Sequence, residues 1–234
     1  MRPSPAAEPP RTTAAAPRIV GIGASAGGLV ALEQFLGQIP PHSGMAYIVV
    51  QHLDPTQKAL LPELLQRVTA MPVREAEQGM RIEPDCVYVI PPNAELSVVD
   101  DTLRLAAPAE PRGLRLPINV LFSSLAGAQG ERAIAAILSG MGSDGTLGLQ
   151  AIKAVGGLTA AQKPETAQFD SMPRSAIAAG CADIVGAARR AAGADPELCH
   201  PGARRGRHRR GVLARRALGN AAGHRGTAAE TIRA

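Results

Sequence analysis

Tryptophan is missing from this 234-residue chain, and its aromatic set is only Phe35, Phe122, Phe169, Tyr47 and Tyr88. A nucleic-acid platform that stacks bases on aromatic rings is therefore disfavoured. Cysteine is scarce too. Cys86, Cys181 and Cys199 are odd in number and form no C-x-x-C pair, which argues against a disulfide frame and for reduced thiols in a cytoplasm. The five histidines are scattered, no metal-ligand cluster is visible, and neither a metal nor a cofactor is expected. No apolar run reaches the ~18 residues a membrane span needs, and the N-terminus has no apolar signal region. These absences read as a soluble cytoplasmic protein without membrane insertion.

What is present is an apolar fraction of 45%, enough for one domain of ordinary size with flanks, its core built from Val, Ile, Leu, Ala and Met. The net charge of +5 is unevenly distributed. Residues 187–234 hold eleven arginines against Asp195, Glu197 and Glu230, a balance of +8, which leaves residues 1–186 at −3. The basic character belongs to a tail rich in Arg, Ala and Gly that follows neither helix nor strand periodicity and reads as disordered. Residues 1–17, rich in Pro and Ala, read as a disordered leader. The folded domain is expected over residues 18–186.

Within that domain, β-branched and apolar runs alternate with amphipathic helical segments. The β-branched run after Arg18, the glycines 21, 23, 27 and 28, and the segment from Leu29 to Leu36 read as strand, tight turn and helix, and Met45 to Val50 as a strand buried on both faces, which together make a βαβ unit. Further helices are expected around Leu60–Leu65, Ile118–Ala128, Leu147–Val155 and Met172–Ile177. Further strands are expected at Pro72–Glu77, Ala133–Leu138, Leu158–Gln162 and, as an edge, Ala182–Val185. Cys86–Ile90, Glu95–Val99 and Thr102–Leu105 follow one another without helices and read as an inserted β-hairpin region. The expected fold is α/β: a doubly wound, mostly parallel sheet with helices on both faces and an inserted antiparallel β-hairpin. Residues 108–117 form a loop long enough to suggest a functional role.

The chain is organised around Arg18–Leu29, where a strand empties into a glycine turn holding Ser25. Gly23–Gly27 fits G-x-S-x-G, which lifts a serine hydroxyl clear of a sheet. Gly21–Ala26 also fits G-x-G-x-x-A, a fingerprint for a pyrophosphate at a helix N-terminus. A third reading makes Ser25 a helix cap. On this stretch alone the three stand equal.

Two other strand ends weigh on the choice. His52, in Q-H-L-D-P, follows the second strand, and Asp144, in S-G-M-G-S-D-G, follows the strand ending at Leu138. Each has an ordinary alternative: His52 satisfying turn backbone, and Asp144 capping the helix that follows it. Ser25, His52 and Asp144 share one edge of the expected sheet, where ligand crevices of open α/β folds lie. They are the types required for a nucleophile, its base and the base's orienter. Backbone N–H groups beside Ser25 and around Met141 could hold an oxyanion. The chain order Ser, His, Asp departs from that of the α/β-hydrolases. The acidic residue expected of a dinucleotide site is replaced by Gln51-His52, with Asp54 a weak substitute.

Taken together, G-I-G-A-S-A-G-G, V-V-Q-H, Y-V-I-P-P, I-L-S-G-M-G-S-D-G and M-P-R-S-A-I resemble the catalytic domain of chemotaxis-type protein-glutamate methylesterases over about Ile19 to Val185. Q-H-L-D-P and S-D-G-T-L-G resemble most the form fused to a methyltransferase and sensor domains. The resemblance implies a serine carboxylesterase that hydrolyses protein glutamate γ-methyl esters and deamidates selected glutamines. Its implied partner is a methylated chemoreceptor or related signalling protein, with a methyltransferase or sensor as a second partner. Ser25 would be the nucleophile, His52 the general base and acid, Asp144 the orienting carboxylate, and Ala26, Met141 and Gly142 oxyanion or backbone support. Ala26 stands where stand-alone members carry threonine, and a 17-residue leader leaves no room for a phosphorylatable receiver domain. An alternative keeps the fold but makes the chain a catalytically idle regulatory or binding module, truncated from a methylesterase–methyltransferase fusion. Nucleic acid held by the arginine tail ranks below both, because the rest of the chain is acidic and poor in aromatics.

Overall fold

The structure, a computed structural model, describes residues 16–52, 60–111 and 114–188. The expected leader up to residue 15 and the tail from residue 189 lie outside the described residues.

Among the described residues, nine strands and five α-helices follow in the order β1 (Arg18–Ala24), α1 (Gly28–Leu36), β2 (Met45–Gln51), α2 (Leu61–Gln66), β3 (Val73–Glu75), β4 (Val87–Val89), β5 (Glu95–Val99), β6 (Thr102–Ala106), α3 (Pro117–Gln129), β7 (Ile134–Ile137), α4 (Thr146–Ala154), β8 (Leu158–Gln162), α5 (Ser171–Ala178) and β9 (Ile184–Gly186). Seven strands form one sheet in the order β3-β4-β2-β1-β7-β8-β9, and every pair in it is parallel. This is the expected doubly wound sheet. Its middle strands carry unbroken apolar runs because helices cover both faces: Ala46 through Val50 and Ile134 through Ile137 are all buried.

Successive side chains on a strand point to opposite faces, so β1 shows what lies on each. A Cβ at Gly21 would meet Phe122 and Leu125, and one at Gly23 would overlap Ile118, so α3 presses on that face. On the other face α1 starts close against the strand, since a Cβ at Gly28 would touch that of Ala24. Glycine at these places brings the helices nearer to β1 than side chains would allow. Helix α3 puts Ile118, Leu121, Phe122 and Leu125 fully into the core.

The hairpin is smaller than the sequence implies. Of the three segments, β5 and β6 pair antiparallel, and their Leu96, Val98 and Leu103 pack into the α3 core. The Val98 N–H donates to Ser124 Oγ at 3.0 Å, tying the hairpin to α3. Cys86–Ile90, expected with the hairpin, instead supplies β4 to the parallel sheet, between β2 and β3. The physical reason is burial. Val87, Tyr88 and Val89 are covered on both faces, which a two-stranded ribbon cannot provide.

Candidate active site

Strands β2, β1 and β7 are neighbours in the sheet, and the segments leaving their C-terminal ends carry His52, Ser25 and Asp144. The structure brings these three side chains together. Ser25 Oγ lies 3.4 Å from His52 Nδ1, and His52 Nε2–H donates to Asp144 Oδ2 at 2.9 Å. Relative to the familiar Ser-His-Asp arrangement the two imidazole nitrogens have exchanged roles. The consequence for protons is the same. A carboxylate facing Nε2–H leaves the Nδ1 lone pair toward the serine hydroxyl.

Ser25 is not the cap of α1. That place is taken by Gly27 in a left-handed conformation (φ 65°), with no side-chain cap bond. The Ser25 hydroxyl therefore points at His52. The pyrophosphate reading also meets an obstacle, because Phe122, Leu125, Ile118 and Ile137 fill the space beside Gly21 and Gly23. Those glycines serve packing.

His52 continues the ladder between β1 and β2, its N–H donating to the Ala24 carbonyl at 3.3 Å. Its side chain keeps 34% of its surface exposed, whereas that of Asp144 keeps 3%. Asp144 does not cap the helix that follows it, since Gly145 (φ 89°) stands at the start of α4. It caps α3 instead. Oδ2 accepts the Ile118 N–H at 3.0 Å, and Oδ1 accepts those of Asn119 at 3.0 Å and Gly145 at 2.8 Å. A buried carboxylate is stable here because four donors and the positive end of α3 surround it.

Ser139 is a residue that sequence reasoning passed over. Its carbonyl accepts the Ser25 N–H at 3.0 Å, and its hydroxyl bonds to the Ala26 carbonyl at 2.9 Å and accepts the Phe169 N–H at 3.0 Å. The Ser139 N–H in turn donates to the side chain of buried Gln162 at 2.9 Å. Gly140 N–H donates to the Phe169 carbonyl at 2.9 Å and Met172 N–H to the Gly140 carbonyl at 3.1 Å. The glycine turn of 140–145, the serine turn and the segment entering α5 are thus bolted together. Among the described residues, the Ala26 and Met141 N–H groups find no acceptor. Met141 is 59% exposed and Gly142 takes a left-handed φ of 86°.

A cavity of about 390 Å³ opens beside His52 and Asp144, walled by Pro91–Glu95, Arg115–Pro117 and Met141–Ser143. Cys86 and Cys181 are buried elsewhere, and burial pushes both thiols up, away from the reactive thiolate.

Comparison with known proteins decides the family. The CheB methylesterase family model matches residues 20–194. The chain belongs to the CheB methylesterase family. A protein-glutamate methylesterase/protein-glutamine glutaminase of Pseudomonas aeruginosa is 37% identical over 193 residues, covering 81% of this chain and 54% of that one. An uncharacterised 104.1 kDa protein of Rhodobacter capsulatus is 48% identical over 123 residues, 53% of this chain but 13% of its own length. Among solved structures, the Thermotoga maritima CheB methylesterase catalytic domain matches with a TM-score of 0.71 at 30% identity, covering 78% of this chain and 98% of that domain. The chain therefore spans about half the length of the Pseudomonas relative, and its match to the CheB family is through the catalytic domain. Among the described residues, no helix is long and apolar enough to cross a membrane.

Proposed function

We propose that this chain is a serine carboxylesterase acting on glutamate γ-methyl esters of proteins, with deamidation of glutamine as its second reaction. The observation that carries this reading is the relay from Ser25 Oγ through His52 to the buried carboxylate of Asp144. A serine hydroxyl attacks an ester only if its proton has somewhere to go. His52 Nδ1 takes it as Ser25 Oγ bonds to the ester carbon, and the imidazolium that forms is stabilised by Asp144 through Nε2–H. The 3.4 Å separation is long for a hydrogen bond, as in many substrate-free sites that tighten around the reacting group.

The tetrahedral intermediate carries an oxyanion. The N–H groups of Ala26, Met141 and Gly142 are the donors for it, worth about 3 to 4 kcal/mol each in transition-state stabilisation. The Ser25 N–H is occupied by the Ser139 carbonyl and takes no part. Collapse of the intermediate breaks the bond to methoxide, which leaves as methanol with the proton from His52. Water, activated by the same imidazole, then releases glutamate and restores Ser25. With glutamine the leaving group is ammonia and the remaining steps are identical.

The partner this reading implies is a methylated chemoreceptor or related signalling protein in the cytoplasm. A methyltransferase or sensor module is the second partner, and the match to 13% of a far longer Rhodobacter protein fits a domain used inside larger chains. The test is methanol release from a methylated receptor signalling fragment. Ser25→Ala is expected to lower the rate roughly 10⁴- to 10⁶-fold with the fold intact by circular dichroism. Equal release by the two proteins would overturn the reading.

A further inference from the structure

The loop before α3 and the segment leading into β5 place one cation in the cavity wall next to the relay. Arg115 is half-buried, and two hydrogen bonds of 2.7 Å fix its guanidinium: Nε–H donates to the Glu110 carbonyl, and Nη1–H to Asn93 Oδ1. Asn93 holds that oxygen from a left-handed backbone (φ 56°), which asparagine tolerates better than most residues. Both partners are neutral. Among the described residues, Arg115 has no carboxylate within ion-pairing distance, Glu95 of the same wall included.

A guanidinium carries five N–H donors, and among the described residues two of them find acceptors. The remaining donors belong to a charge that is oriented in advance in a concave site and has no carboxylate partner among the described residues. That combination favours a planar anion with two oxygens. The same cavity is lined by His52 and Asp144, so a group held by Arg115 shares one concave site with two members of the relay. The ester itself is neutral and offers a guanidinium a single carbonyl acceptor, not a charge with two oxygens. An acidic residue near it on the substrate protein offers that charge.

We propose that Arg115, positioned by Asn93, is a specificity-determining site that takes a carboxylate of the substrate protein flanking the esterified glutamate. This rests on the esterase reading above. It explains why a loop of this length is pinned to Asn93 at the mouth of the site. Arg115 binds rather than reacts, so its effect belongs in KM.

The experiment uses the full chain and a methylated receptor signalling fragment whose residues flanking the ester are either glutamate or alanine. Alanine is chosen over glutamine because deamidation would regenerate glutamate. With the unaltered chain, the glutamate fragment is expected to show about tenfold higher kcat/KM for methanol release, carried by KM and reduced by salt. In Arg115→Gln the preference should vanish, and in Arg115→Lys, which keeps the charge but loses the fork, part of it should remain. Equal rates on both fragments, or a preference that survives in Arg115→Gln, overturn the carboxylate site while the esterase reading stands. So does an equal fall on both fragments in Arg115→Gln, the sign of a purely structural arginine. Absence of methanol release from either fragment overturns both readings.

Discussion

Replacing Asp144 by asparagine changes one atom of the relay and separates its two duties. Each carboxylate oxygen now accepts two N–H groups: Oδ1 from Asn119 and Gly145, Oδ2 from His52 and Ile118. An amide has one accepting oxygen, so if that oxygen serves Asn119 and Gly145, the NH₂ group faces two former donors. The Ile118 N–H is left without an acceptor in a buried place, which costs about 1 to 3 kcal/mol. Loss of the negative charge at the start of α3 removes up to about 1 to 2 kcal/mol more. At His52 the NH₂ can be met only by an unprotonated Nε2. The proton then moves to Nδ1, which faces Ser25 and can no longer accept from it. The expected result is a drop in methanol release of about 10⁴-fold, as for a wrong tautomer. Unfolding in urea should show about 2 to 4 kcal/mol of lost stability. A variant that keeps its rate within tenfold would refute the proton argument. One that loses rate but unfolds within about 0.5 kcal/mol of the original would refute the capping argument.

Three further outcomes are open to direct measurement. Gly23→Ala places a methyl group against Ile118, so about 1 to 3 kcal/mol of stability should be lost and activity should fall with it, because Ile118 also donates to Asp144. Ser139→Ala leaves the Phe169 N–H unpaired and loosens the serine turn; thermal unfolding should shift down by the equivalent of about 1 to 3 kcal/mol, and kcat should fall more than KM rises. Burial pushes the Tyr88 phenol up to about 12 from its ordinary value of 10.0, so the native chain holds a proton that the unfolded chain releases first. Stability should therefore decline as pH rises from about 10 to 12, and Tyr88→Phe should flatten that part of the urea-unfolding profile.

Much of this site could be read before any coordinates. Ser25, His52 and Asp144 each follow a run of buried apolar residues and each stands in or beside a turn, so their positions at strand ends follow from local pattern alone. The parallel sheet was legible for the same reason, in the unbroken apolar stretches of β2 and β7. Other features depend on distant residues and leave little local mark. Asp144 caps a helix that begins 27 positions before it in the sequence, at Pro117, because α3 packs on β1, the strand beside β7. Arg115 and Asn93 are paired across the whole β5–β6 hairpin. Ser139 looks like an ordinary turn serine until two other loops are seen to rest on it. The short strand Val87–Val89 was misplaced because it directly precedes two segments that do pair with each other, and burial on both faces is invisible in three residues.

Because the Ile118 and Asn119 N–H groups end on the carboxylate that faces His52, their exchange with deuterium is a clock for the site. An opening in which the Asp144 carboxylate leaves its place frees those two amides and the His52 imidazole together, whereas fraying of α3 alone frees only the amides. Exchange at the first turn of α3 thus sets an upper limit on how often the carboxylate departs, and it does so without any substrate.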